Sequence, residues 1–176
     1  MRFLFVVLLV SACAGAASPG VRYEPTPMDV VHTMLDMAEV RAGDLVADLG
    51  CGDGRLVIEA MRRRAGRGLC VDIDPRRIAE ARRNAQQAGV VERITLLQQD
   101  LFAVDLHGVT VVMLFLSPEF NLRLRPKLER ELAPGSRVVS HWHDMGDWRP
   151  ARTVRMRSDE RERPVYLWVI DGRRRD

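Results

Sequence analysis

The 176-residue chain is poor in aromatics, at 6%, and carries only three cysteines. Lysine is almost missing; arginine supplies nearly all the cations, and the net charge is only +3. Each shortage excludes something. Cys13, Cys51 and Cys70 lack the paired spacing of a zinc site and are too few for a disulfide framework. The densest basic clusters, Arg62-Arg63-Arg64 and Arg173-Arg174-Arg175, have no interleaved aromatics. They read as a solvated helix end and a solvated tail, so no nucleic acid is expected as a partner. His141-Trp142-His143 has H-x-H spacing, but no third ligand is evident and no metal is expected. No apolar run reaches the roughly 20 residues of a membrane-spanning helix. There is no internal repeat and no low-complexity segment. At 47% hydrophobic and 29% charged, the composition suits one globular domain with one core.

Residues 1–16 read as an export leader outside the fold. Arg2 precedes the apolar run Phe3 to Val10, followed by Ser11-Ala12-Cys13-Ala14-Gly15-Ala16-Ala17. Ala14-Gly15-Ala16 offers a signal-peptidase site, and Val10-Ser11-Ala12-Cys13 resembles a bacterial lipoprotein box whose cysteine is lipidated. The expectation is a bacterial envelope protein, periplasmic or lipid-anchored, that meets the membrane only through this leader. An uncleaved hydrophobic anchor and a cytoplasmic location are the alternatives.

From residue 23 to 171, strand and helix patterns alternate with short connections. A helix is expected over Met28 to Ala38, capped by Thr26 or Asp29, with Val30, Val31, Met34, Leu35 and Ala38 on its apolar face. Strands follow at Leu45 to Leu49, Leu69 to Ile73, Ile94 to Gln98, Val109 to Leu116 and Arg137 to His141. Helices are expected from Gly54 to about Arg64, from Pro75 to Ala88, and from Pro126 to the Pro134-Gly135 stop. Thr153 to Arg157 and Val165 to Ile170 alternate as a closing pair of strands. The pattern predicts a doubly wound Rossmann-like α/β sandwich, mostly parallel with an antiparallel C-terminal strand. Cys70 reads as a small buried hydrophobe and Trp148 as packing at the sheet edge.

The chemistry is concentrated where the first strand ends. Asp48-Leu49-Gly50-Cys51-Gly52-Asp53-Gly54 runs from an apolar strand into a turn with glycine at alternate positions. Asp72 ends the next strand 22 residues after Gly50. A nucleoside cofactor needs this pairing, with its polar tail on backbone N–H groups and its ribose hydroxyls on the acid. The spacing is G-x-G-x-G and lacks the third glycine of the dinucleotide fingerprint G-x-G-x-x-G. Asp48, pointing into the turn, would repel a pyrophosphate and suits an ammonium.

This combination resembles motif I of the class I S-adenosylmethionine (SAM) methyltransferases, and Asp72 resembles their ribose-binding acid. Tyr23-Glu24-Pro25-Thr26-Pro27 resembles the Y-x-P-T/S-P entry segment of one branch, and Asp100-Leu101-Phe102 the D-L-F/W element whose acid reads the adenine amino group. Leu116-Ser117-Pro118, the stretch Leu128 to Ser140, and Trp148-Arg149-Pro150 are similar to the lysine methyltransferases of the adenine nucleotide translocator and the ATP synthase c-subunit. Asp72-Ile73-Asp74 departs from the glutamate and asparagine of the mitochondrial enzymes. The resemblance spans about Tyr23 to Asp171. It implies SAM as cofactor, with Asp48, Gly50, Gly52 and Gly54 at its methionine end, Asp72 at the ribose, Ile73 on the adenine face and Asp100 and Leu101 beside the adenine. Tyr23 and Thr26 join these as entry-segment contacts. The implied partner is a protein bearing a target lysine, membrane-associated proteins being among the candidates.

The acceptor side is expected just past the fourth strand, in a loop Ser117 to Asn121, with Glu119 orienting an ammonium and Asn121 beside it. His141 is expected as a polar wall residue near the site. Two other functions compete. A nicotinamide-dependent oxidoreductase is disfavoured by the glycine spacing and the lack of a hydride-transfer constellation. A non-catalytic exported binding module draws weight from the leader, because SAM is made in the cytoplasm.

Overall fold

The computed structural model describes residues 23–63 and 65–172; the leader, Arg64 and the Arg173-Arg174-Arg175 cluster lie outside the described residues. In chain order the elements are α1 (Met28–Met37), β1 (Leu45–Leu49), α2 (Arg55–Arg62), β2 (Arg67–Asp72), α3 (Pro75–Gln87), β3 (Ile94–Gln98), β4 (Val111–Leu114), α4 (Pro118–Glu131), β5 (Arg137–His141), β6 (Arg152–Ser158) and β7 (Arg161–Val169). The seven strands form one sheet in the order β3-β2-β1-β4-β5-β7-β6. The first five are parallel, and both closing strands, β7 on β5 and β6 on β7, are antiparallel. The strand order reverses between β1 and β4, the topological switch point at which open α/β sheets bind ligands.

Side chains alternate across the sheet. Val46, Cys70, Met113 and Val139 face α1, α2 and α3, while Ala47, Leu49, Val112, Leu114 and Val138 face α4. The apolar face expected of the first helix is buried, with Met37 added to it. The C-terminal pair Trp148 and Trp168 stacks on the α4 side, ring centroids 5.7 Å apart, with Trp168 Nε1 donating to the Trp148 carbonyl at 2.7 Å.

Several expectations are corrected. Among the described residues no side chain caps α1: Pro27 holds the cap position, and Asp29 Oδ1 accepts from the adjacent Val30 amide and from Ser158 Oγ. The expected loop Ser117 to Asn121 is the cap and first turn of α4, with Ser117 Oγ accepting from Phe120 N and Pro118 at the first position. Pro126 therefore lies inside α4 and does not open it. Its missing N–H costs the helix one internal bond, the one that would reach Leu122. Cys70 is not a free hydrophobe: it is disulfide-bonded to Cys51, 19 residues away in the glycine turn. The register explains the pairing, because Asp48 lies opposite Cys70 and Leu49 opposite Val71, so the turn leaving β1 folds back beside β2.

Candidate active site

The turn after β1 is held against the tip of β2 by its own amides. Gly50 N and Cys51 N both donate to the Val71 carbonyl, at 2.8 and 3.0 Å; Gly52 N donates to Asp72 Oδ2 at 3.0 Å, and Gly54 N to the Cys51 carbonyl at 2.9 Å. Gly52 has φ 55°, and a Cβ there would overlap the ring of Tyr23, so both the conformation and the close approach require glycine. This bonding corrects the expectation that a ligand's polar tail lies on the turn's N–H groups. Those four donors are already engaged within the protein. A pyrophosphate would meet no donor from them, and the dinucleotide reading loses its physical basis.

The turn instead presents carboxyl groups. Asp48 is 3% exposed, and its pKa is pushed up to about 8 by burial first and then by the nearby charges of Asp53 and Asp72. Asp53 is neutralised: burial works to raise its pKa, but the Arg55 guanidinium, with Nη2 at 2.6 Å and Nε at 3.0 Å, holds it below the ordinary range. Among the described residues no cationic side chain pairs with Asp48. A buried carboxyl lacking a cation, beside inward-bonded amides, fits the ammonium of an amino acid, which is the methionine end of SAM.

The other predicted cofactor residues follow along the same carboxyl edge. Asp72 accepts from Gly52 N with one oxygen and from Asp74 N with the other, at 3.0 and 2.9 Å, which fixes a half-exposed carboxylate with lone pairs left for hydroxyls. Ile73, 63% exposed, presents an apolar platform beyond it. Asp72 lies opposite Gln98, so Asp100, exposed and bonded to Phe102 N, stands at the same edge with Leu101 beside it. Gly50 and Gly54 lie at opposite ends of the turn, Gly54 at the cap of α2 and against Ala81 of α3. Tyr23 covers Gly52 from outside under the Arg77 guanidinium, 3.9 Å from the ring centroid, and its pKa is raised by burial and then by Asp53. Thr26 is buried, and its carbonyl accepts from Arg55 Nη1 at 2.9 Å, which pins the entry segment to α2.

The expected acceptor residues are not brought together in a loop. Glu119 is exposed on the first turn of α4. Asn121 is fully buried, with its amide nitrogen donating to Ser140 Oγ, the His143 carbonyl and the Asp144 carbonyl, at 3.1, 3.0 and 3.3 Å. It clips α4 to the segment after β5 and is no free acceptor-side group. His141 is also fully buried, beneath Phe115 and Arg163, and does not line a wall. Sequence reasoning missed Trp142, whose φ of 72° is unusual for a bulky residue, and Arg163, a nearly buried cation. No local signal in the sequence marks either.

Residues 48–152 match the family model described as the ANTKMT methyltransferase domain. The chain is 42% identical over 153 residues to a protein-lysine N-methyltransferase of Saccharolobus islandicus, covering 86% of this chain and 95% of that protein. It is 31% identical over 162 residues to the adenine nucleotide translocase lysine N-methyltransferase of Mus musculus, covering 87% and 68%. Among solved structures, an RNA methyltransferase from Salinibacter ruber in complex with S-adenosyl-L-homocysteine superposes with a TM-score of 0.82 at 44% identity, over 87% of this chain and 97% of that one.

Proposed function

The chain belongs to the ANTKMT methyltransferase domain family, and on that premise we propose that it transfers the methyl group of SAM to the side-chain amine of a lysine in a protein. The observation that carries the donor half is Asp48, a buried carboxyl without a cation at the end of β1. The acceptor half draws on the relatives named as protein-lysine methyltransferases.

SAM, when bound, supplies a methyl group on a positively charged sulfur. The residues have four tasks. Asp48 would hold the ammonium of the methionine end, Asp72 the ribose hydroxyls, Ile73 the flat face of the base, and Asp100 its amino group. The amine of the acceptor must lose its proton before its lone pair forms the N–C bond as the C–S bond breaks. An amine of pKa about 10.4 in water loses that proton more readily when desolvated near positive charge. In-line positioning supplies about 7–11 kcal/mol of the barrier reduction in such displacements.

A second acceptor, RNA, is favoured by one observation: the structurally similar Salinibacter ruber protein is named an RNA methyltransferase. Two features weigh against it here. The net charge is only +3, and exposed arginines such as Arg41, Arg76 and Arg155 are paired with Glu39, Asp74 and Glu162. Incubation with labelled SAM, protein extract and total tRNA separates the two.

We further propose that the chain acts at a bacterial envelope, on a membrane-associated protein. The support is the leader pattern of residues 1–16. Intact-mass measurement on protein from native membranes and periplasm tests it: loss or lipidation of the leader is expected, and an unmodified chain confined to the cytosol would contradict it.

A further inference from the structure

The carboxyl edge of the sheet continues past the cofactor turn. Leu49 lies opposite both Val71 and Leu114, and Leu114 opposite Ser140, so Asp72, Gly50, Phe115 and His141 stand at one level at the carboxyl ends of β2, β1, β4 and β5. With strands about 4.8 Å apart, His141 lies roughly 10 Å from Gly50, on the side away from Asp72. The donor residues occupy β2 and β1. An acceptor aligned with the breaking bond therefore arrives over β4 and β5.

That ground is unusually built. Phe115 and His141 share the face that carries Asp48, and their rings stack with centroids 4.1 Å apart. His141 is fully buried; Arg163 Nη1 lies 3.5 Å from its Nε2, and its Nδ1 has no hydrogen-bond partner among the described residues. Burial and the Arg163 charge pull its pKa down to about 4, so the ring is neutral at the edge. Trp142 follows in a tight three-residue turn, with His143 N donating to the His141 carbonyl at 2.9 Å and Trp142 N to Pro164 at 2.8 Å. Its φ of 72° is a strained geometry for a tryptophan, held by those bonds and by Arg163, whose guanidinium lies 5.1 Å from the ring centroid. Arg163 Nη2 also reaches Glu24 at 3.9 Å. Glu24 is half-exposed and sits next to Tyr23, which covers Gly52, so the entry segment bridges the cofactor turn and this corner.

We propose that half-exposed Trp142, with Phe115 and Glu24, forms the wall along which the acceptor lysine reaches the methyl group, and that Trp142 determines acceptor specificity. This rests on the lysine reading above. The indole face holds the methylene stem and favours a cationic or partly methylated amine. Glu24 draws the ammonium in, while neutral His141 supports the ring without repelling it.

The test compares three stable donor analogues in which nitrogen replaces the sulfonium sulfur: one is bare, one carries a 2-(butylamino)ethyl arm whose secondary amine stands for the lysine nitrogen and whose butyl chain stands for its methylene stem, and one carries a nucleoside-bearing arm. In the wild-type protein the butylamino arm is expected to tighten binding at least tenfold. Trp142→Ala should lose most of that gain, Trp142→Phe should keep most of it, and Glu24→Gln should lose part. The bare analogue should bind all variants within about twofold, which certifies the fold. Should Trp142→Ala fail to bind the bare analogue, Trp142→Leu is read in its place. A full arm gain retained without the aromatic overturns the proposal and leaves the lysine reading standing. No arm gain in the wild type overturns both, and a gain from a nucleoside-bearing arm instead assigns the wall to a stacked base.

Discussion

The carboxylate of Asp72 accepts the backbone N–H of Gly52 at 3.0 Å, so the acid proposed to hold the ribose and the glycine turn are one unit. Replacing Asp72 removes ligand contacts and a turn support together. Asp72→Ala is expected to cost about 1.5–3 kcal/mol of SAM affinity, tenfold or more, by calorimetry. Unchanged affinity with the fold intact would place the ribose elsewhere.

Tyr23 and Gly52 are coupled through the space a side chain would need. Gly52→Ala forces Tyr23 aside and adds the backbone penalty of a left-handed alanine, about 1 kcal/mol. Lower SAM affinity and a lower Tm are expected. Adding Tyr23→Ala should relieve the overlap and leave the backbone penalty, so a double-mutant cycle by thermal melting should be strongly non-additive. Additive effects would refute the coupling.

The raised pKa of Asp48, about 8, makes donor binding pH-dependent. Below pH 8 the ligand-free carboxyl is protonated; an ammonium beside it favours the carboxylate, so binding releases a proton. SAM affinity should rise with pH toward 8 and fall beyond it, where an α-amine of pKa about 7.7–8.0 loses its charge. The same shift sets the stability of the ligand-free protein. Between the ordinary carboxyl pKa of 3.8 and about 8 the folded state holds a proton that the unfolded state has lost, so this group's contribution to stability falls as pH rises. Asp48→Asn should abolish the proton release and flatten that slope. Calorimetry in buffers of differing ionisation heat reads the first, melting against pH the second.

The Cys51–Cys70 disulfide closes a short loop around α2 and ties the cofactor turn to β2. A loop of this size is worth about 3 kcal/mol by the chain-entropy argument. Reductant, or Cys51→Ala with Cys70→Ala, should lower the Tm and the affinity for SAM together. Two free thiols in the untreated folded protein would contradict the pairing.

Much of this was legible in the sequence, for identifiable reasons. β1, β3 and β5 begin and end where the sequence pattern expects them, because turns bound them on both sides. Asp48, Asp72 and Asp100 were legible as candidate cofactor acids because each sits at or just past a strand end, where residue type and spacing carry the chemistry. Pro126 reads as a helix start because proline favours the first position of a helix, yet Pro118 is the one that holds it. Ser117-Pro118 shows the same pattern as Asp74-Pro75, which caps α3. The disulfide was illegible because it depends on which strands lie side by side. The acceptor corner was illegible for a similar reason: His141, Trp142, Arg163 and Glu24 meet only through β5–β7 pairing and the return of the entry segment.

Acceptor identity tests the central claim most directly. The purified protein, from Tyr23 onward, is incubated with SAM labelled in its methyl group, together with bacterial envelope protein and, separately, total tRNA. Background from the enzyme is small, since Lys127 is its one lysine and is ion-paired to Glu131 at 2.6 Å. After hydrolysis the label is expected as methylated lysine from the protein fraction, and Asp48→Ala should abolish it. Label found only in RNA, lipid or small molecules would contradict the protein-lysine assignment.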